Sequence, residues 1–165
     1  VSAGGVVQVR LIDRDLLDAV AADAAARPRR RANHNFHPAD DFPAHRLLNA
    51  IEPDSYLPPH RHVDPLKDET ILVLRGELGV IRFDDAGAVA ETWRLAAGGD
   101  RLGIDIAHGT WHTVVALAPG TIIFEAKSGP YRPLASAEKA PWAPAEGEPA
   151  AVGYWRQLQA LFPAA

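Results

Sequence analysis

Residues 69–95 read ETILVLRGELGVIRFDDAGAVAETWRL. Thr70–Leu74 is a short apolar run that stops at Arg75-Gly76. Gly79–Phe83 follows, turns at Asp84-Asp85-Ala86-Gly87, and leads into Val89–Leu95. Runs of this length, rich in β-branched residues and punctuated by Gly and Asp, read as strands joined by tight turns. The same texture extends in both directions. Upstream, Leu47–Ile51 ends at Glu52-Pro53-Asp54; downstream come Leu102–Ile106, Thr113–Leu117 and Thr121–Lys127, with Ala118-Pro119-Gly120 between the last two. Turns about every ten residues, with no helix between strands, exclude a βαβ array and predict a sandwich or closed barrel over residues 46–127.

The flanks differ. Residues 13–27 predict an amphipathic helix, with Asp13 as N-cap, Leu16, Leu17, Val20 and Ala24 on one stripe, and Pro28 as the stop. Arg27, Arg29, Arg30 and Arg31 follow and read as a solvated turn in preference to an anion site. Residues 128–150, rich in Pro, Ala and Glu, read as an irregular wrap. A short helix is expected over 150–162, with Pro149 in its first turn and Val152, Trp155, Leu158 and Phe162 near one stripe. Residues 1–45 and 128–165 are thus expected to pack on a barrel formed by 46–127, as one domain. Val6, Val7, Val9, Leu11 and Ile12 suit an edge strand that pairs with a second copy in a homodimer or closes the chain's own sheet.

Composition narrows the chemistry. The 165-residue chain has net charge −4 and pI near 5.9, which gives no footprint for nucleic acid or anionic membrane. It has no Cys, so disulfides, thiolate metal sites and Cys nucleophiles are excluded. No apolar run approaches a membrane span and no signal-peptide pattern opens the sequence, so the expectation is a soluble, cytoplasmic protein. There is no Gly-rich phosphate loop, no G-x-S-x-G elbow and no H-E-x-x-H helix.

The histidines carry the strongest signal. His60 and His62 form an H-x-H pair after Pro58-Pro59. In an extended chain, residues i and i+2 project to one face about 7 Å apart. Glu69 opens the next strand, and His112 ends Gly109-Thr110-Trp111-His112 just before another. Three imidazoles and a carboxylate suit a divalent transition ion: Fe, Mn, Co, Ni or Zn.

These residues resemble the motifs of the cupin superfamily. Its first motif, G-x5-H-x-H-x3,4-E-x6-G, is matched by His60, His62, Glu69 and Gly76; its second, G-x5-P-x-G-x2-H-x3-N, by Gly109 and His112. Asp54 replaces the opening Gly, six residues instead of three or four separate His62 from Glu69, Ala107 replaces the Pro, and Ala116 the Asn. From about residue 33 to 145 the chain is similar to the WbuC-type cupin-fold metalloproteins. That likeness runs through Asn33–His37, Arg46–Pro53, Pro59–His62, Lys67–Thr70, Gly109–Val114, Phe124–Tyr131 and Ala140–Pro144. The resemblance implies a double-stranded β-helix (jelly-roll barrel) with a metal held by His60, His62, Glu69 and His112 in its mouth. The family's association with O-antigen clusters implies sugar or sugar-nucleotide chemistry.

Other polar residues divide between function and structure. Glu125 and Lys127 share one face of a strand: an acid/base pair if that face lines the barrel, an ordinary surface pair if it faces out, the latter being the preferred expectation. Asn49, on the face of Leu47 and Ile51, either meets a ligand or ties down a neighbouring strand. Asn35 and His37 either fold over the mouth or cap a turn, and Tyr131 is a further ligand candidate. Trp111 is expected to pack on the face opposite His112. Three functions are compatible, in decreasing order of preference: a metal-dependent isomerase or epimerase acting on a small polar substrate, a non-catalytic sugar- or metabolite-binding cupin with a structural metal, and an Fe(II) dioxygenase.

Overall fold

The computed structural model describes residues 9–163. The elements in order are α1 (Arg14–Ala26), β1 (Arg31–Asn35), β2 (Ala44–Ile51), β3 (Glu69–Arg75), β4 (Glu77–Phe83), β5 (Val89–Ala96), β6 (Gly103–Ile106), β7 (His112–Ala116), β8 (Thr121–Ser128), a 3₁₀ turn (Ser136–Glu138) and α2 (Ala151–Ala160). The strands form two sheets, a five-stranded one in the order β1-β2-β8-β3-β6 and a three-stranded one in the order β5-β4-β7. The pairs within both sheets are antiparallel. This is a mainly β, single-domain jelly roll with a helix at each end.

Alternation along the strands sets what each face does. On β2, Leu48 and Ala50 point outward and are buried beneath Val20 and Ala24 of α1, together with Ala32 and Ile122. The opposite face carries Ile51 into the layer between the sheets, where Ile71, Val73, Leu78, Val80, Leu95 and Val114 meet. A third cluster covers the outer face of the small sheet: Ile81, Phe83 and Val115 pack under Trp111, Leu158 and the segment around Trp142. Trp111 therefore packs as expected, with the Arg61 guanidinium 4.3 Å above its ring.

Helix α1 begins where expected: the Asp13 side chain accepts the Leu16 N–H at 3.0 Å. Pro28 disfavours a helical conformation at the residue before it, and Arg27 is extended. Of the four arginines, Arg27, Arg29 and Arg30 lie in the expected solvent-facing turn, and Arg31 departs from it. Arg31 starts β1, and its largely covered side chain reaches Glu146 at 2.8 Å and the Tyr56 carbonyl at 3.1 Å. Arg29 joins it on Glu146 at 2.6 Å, while Arg27 and Arg30 pair with Asp23 and Asp54. Strand β1 reads Arg-Ala-Asn-His-Asn and has no apolar alternation, yet it pairs residue for residue with β2, Arg31 opposite Ile51 and Asn35 opposite Leu47. The five-stranded sheet thus begins upstream of residue 46.

Two further expectations change. Val9, Leu11 and Ile12 lie exposed outside any strand, so among the described residues they neither pair as an edge nor close a sheet; Val6 and Val7 lie outside those residues. In α2 the buried positions are Ala151 and Leu158, while Val152 faces solvent. Gly76, between β3 and β4, has φ +74°, and a Cβ there would lie 2.5 Å from the Thr121 hydroxyl. Only glycine suits that tight crossing.

Candidate metal centre

The two histidine segments, fifty residues apart in sequence, are joined by backbone pairing. His60 N–H donates to the His112 carbonyl at 3.0 Å, and His112 N–H donates back at 2.9 Å. Gly109 N–H donates to the His62 carbonyl, which holds the second loop against the first. On its outer side the H-x-H segment is gripped by the 3₁₀ turn, where Arg61 N–H reaches the Glu138 carbonyl at 3.0 Å. Glu69, the first residue of β3, lies beneath. One ligand atom from each of His60, Glu69 and His112 lies within 4.8 Å of the others. His62 approaches from the side, its Nε2 3.0 Å from Glu69 Oε1. His112 Nε2 is 3.1 Å from Glu69 Oε2.

The donor set fits a cation. A carbonyl oxygen can only accept, so His112 Nδ1 donates to the Thr110 carbonyl at 2.9 Å and His60 Nδ1 donates to that of Pro58 at 3.1 Å. A neutral ring fixed in that way presents Nε2 as a lone pair. The lone pair of His112 then faces a carboxylate oxygen, an arrangement that a shared proton or a metal ion resolves. The cluster could hold a divalent ion. Desolvation and the neighbouring His112 push the His60 imidazolium pKa down, which favours the neutral, ligating ring.

Beside this cluster is a buried charge network. Lys127 is opposite Glu69 in the β3–β8 register, and its Nζ lies 2.7 Å from Glu69 Oε1 and 2.5 Å from Glu125 Oε1. Asn49 Nδ2 donates to Glu125 Oε2 at 2.6 Å from β2. The preferred expectation of a surface pair is overturned: Glu125 is only 7% exposed, and both side chains face the barrel interior. The reason is coverage. Phe124 and Ile122, on the other face of β8, lie beneath α1, which leaves the face of Glu125 and Lys127 for the interior. Burial raises the Glu69 pKa, but the close approach of the His112 and His62 rings and the Lys127 charge outweigh it and hold this carboxyl well below the usual range. Burial raises Glu125 despite Lys127. Burial lowers Lys127, but the two carboxylates outweigh it and keep the ammonium charged.

The network and the cluster share one wall of a cavity of about 760 Å³. Asn49, Asn35, His37 and Tyr131 all line it, so the structure brings together every candidate except His62, which borders a smaller adjoining cavity instead. Asn49 both ties β2 to β8 and faces the interior. His37 is buried, accepts the Arg46 N–H at 3.2 Å, and stacks on His45 with ring centroids 3.9 Å apart. Sequence reasoning missed His45 and Asn33. The available signals were alternation, since His45 shares the β2 face of Leu47 and Asn49, and register, since Asn33 pairs with Asn49.

A family model described as a domain of unknown function (DUF6016) matches residues 12–95. The chain belongs to that family. No curated protein matches it. Among solved structures, a conserved protein of unknown function from Streptococcus pyogenes is 11% identical and has a TM-score of 0.50; the match covers 76% of this chain and 91% of that one. KdgF from a Halomonas species is 22% identical over 65% of this chain and 85% of that one, with a TM-score of 0.49. A cupin superfamily protein from Desulfitobacterium hafniense is 13% identical over 66% and 86%, with a TM-score of 0.49. This member of the DUF6016 family shares its fold with the streptococcal protein, and at these identities the likeness extends to the fold alone.

Proposed function

We propose that this chain is a metal-dependent cupin enzyme that moves a proton on a small polar substrate, such as a carbohydrate derivative, in an isomerisation or epimerisation. The observation that carries this reading is the position of Lys127. Its ammonium lies between Glu69 of the histidine cluster and Glu125, on the wall of a cavity sized for a small molecule. His60, Glu69 and His112 hold the ion, with His62 as the fourth member through its contact with Glu69. A bound divalent ion of the Fe, Mn, Co, Ni or Zn group supplies a Lewis acid that polarises a substrate oxygen. Glu125 exchanges the proton through Oε1, while Asn49 holds Oε2 and so orients the carboxyl. Lys127 carries positive charge beside any oxyanion that develops. Asn35, His37 and Tyr131, which also line the cavity, contact the substrate. Cytoplasmic location, homodimerisation and a role in surface-polysaccharide synthesis belong to the same reading and rest on the sequence.

Metal content and solvent-proton exchange test the proposal together. Protein purified without chelator should carry near-stoichiometric metal, and Ala at His60, His62 or His112 should remove most of it, whereas Ala at His34 or His108 should not. With a panel of aldoses, ketoses and sugar acids in deuterated water, at least one compound should acquire deuterium beside its carbonyl. Glu125→Gln should abolish that exchange with metal content intact. Full metal content with no exchange by any compound would favour the sugar- or metabolite-binding alternative.

A further inference from the structure

The smaller cavity, about 220 Å³, adjoins the barrel cavity and shares His45, His60, Lys127 and Tyr131 with it. Lys67 and Arg132 complete its polar wall together with His62 and Ser128, and no carboxylate lines it. The Lys67 ammonium spends one N–H on the Pro130 carbonyl at 3.0 Å and keeps two. The Arg132 guanidinium has neither an ion pair nor a hydrogen bond among the described residues. Lys127 is balanced by Glu69 and Glu125. Glu138 lies behind His62, and its two oxygens accept the N–H groups of Val63 and Ala135 at 3.1 and 2.9 Å. The cavity therefore presents two cations with free donors and no lining acid to neutralise them.

From this lining we infer that the small cavity is an oxyanion pocket, which takes the carboxylate or phosphate group of a ligand whose remainder occupies the barrel cavity. Free N–H donors on cations make charge-assisted hydrogen bonds to such a group, and a concave basic wall concentrates anions. The volume is below the range of whole-ligand sites, which suits one charged group and not an entire sugar. The shared wall lets a single molecule reach both spaces. Only the placement of the rest of the ligand depends on the proposed function; anion capture by Lys67 and Arg132 requires no metal.

The test uses the full-length chain after removal of divalent ions by chelation, with inorganic phosphate and acetate as probes and histidine-ring NMR as the readout. The expected result is saturable movement of the His45 and His62 ring signals with at least one probe. The double variant Lys67→Ala/Arg132→Ala should weaken that binding about tenfold or more, while Arg101→Ala, on the turn before β6, leaves it unchanged. The tighter probe identifies the group, phosphate or carboxylate. Binding should persist in His112→Ala, so it can succeed where the metal reading fails. Silence of both ring signals up to tens of millimolar probe would overturn the assignment. So would binding that appears only with a divalent ion and ignores the double variant.

Discussion

Replacing Lys127 with Met tests the buried network most directly. Lys127 Nζ is the common partner of Glu69 and Glu125, at 2.7 and 2.5 Å. Glu69 is 4% exposed and Glu125 7%, so neither carboxylate recovers water when the ammonium is removed. Breaking a buried ion pair from one side costs about 3–5 kcal/mol, because the remaining charge is left uncompensated. In the metal-free protein, Lys127→Met should therefore lower stability by about that amount. For a chain of this size the loss corresponds to a fall in Tm of roughly 6–20 °C. The double variant Lys127→Met/Glu125→Gln should recover part of the loss, since it removes one of the two carboxylate charges that the single variant leaves without their cation. Adding a divalent ion should also recover part of it, by giving Glu69 a new cation. Thermal unfolding followed by circular dichroism, with chelator and then with Mn or Zn, reads all of these. A single-variant loss below about 1 kcal/mol, or a double variant no more stable than the single, would show that the three groups do not act as a buried unit.

Further outcomes follow from other contacts. Glu69→Gln should weaken metal binding measured by competition with a chromogenic chelator; unchanged affinity would leave Glu69 as a partner of the histidines and not a ligand. Burial raises the Glu146 pKa, but the hydrogen bonds from Arg29 and Arg31 outweigh it and set it below the usual value. A depressed carboxyl contributes stability that is present above its unfolded pKa, about 4.3, and lost as pH falls through its folded value. Urea midpoints of wild type and Glu146→Gln should thus differ at pH 7 and converge toward pH 3; a constant gap would contradict the assignment. Asp13→Ala should cost about 1 kcal/mol through loss of the cap on α1, while Asp15→Ala, which caps nothing, should cost less. Gly76→Ala should destabilise by about 1–3 kcal/mol from its positive φ and the approach to Thr121, read as a shift in urea midpoint without change in slope.

Several features were legible because local chemistry alone imposes them. Asp13 followed by an apolar stripe and closed by Pro28 specifies α1 whatever packs on it. The short apolar runs and their Gly- and Asp-rich turns specify strands β2 to β8, and the H-x-H pair with Glu69 and His112 marks the candidate centre by residue type and spacing. What the sequence left open were questions of facing and partnership. Glu125 and Lys127 alternate identically whether their face meets solvent or the interior. The placement of α1 over Phe124 and Ile122 turns that face inward. Strand β1 carries no apolar period, because one of its faces meets a polar cavity, and only its register with β2 makes it a strand. His60 and His112 become neighbours through a backbone bridge across fifty residues, and Lys67 and Arg132 meet across one small cavity. Local propensity acts within a few residues and can be read along the chain. Which charge lies opposite which is set by long-range pairing, so only the tertiary structure decides it.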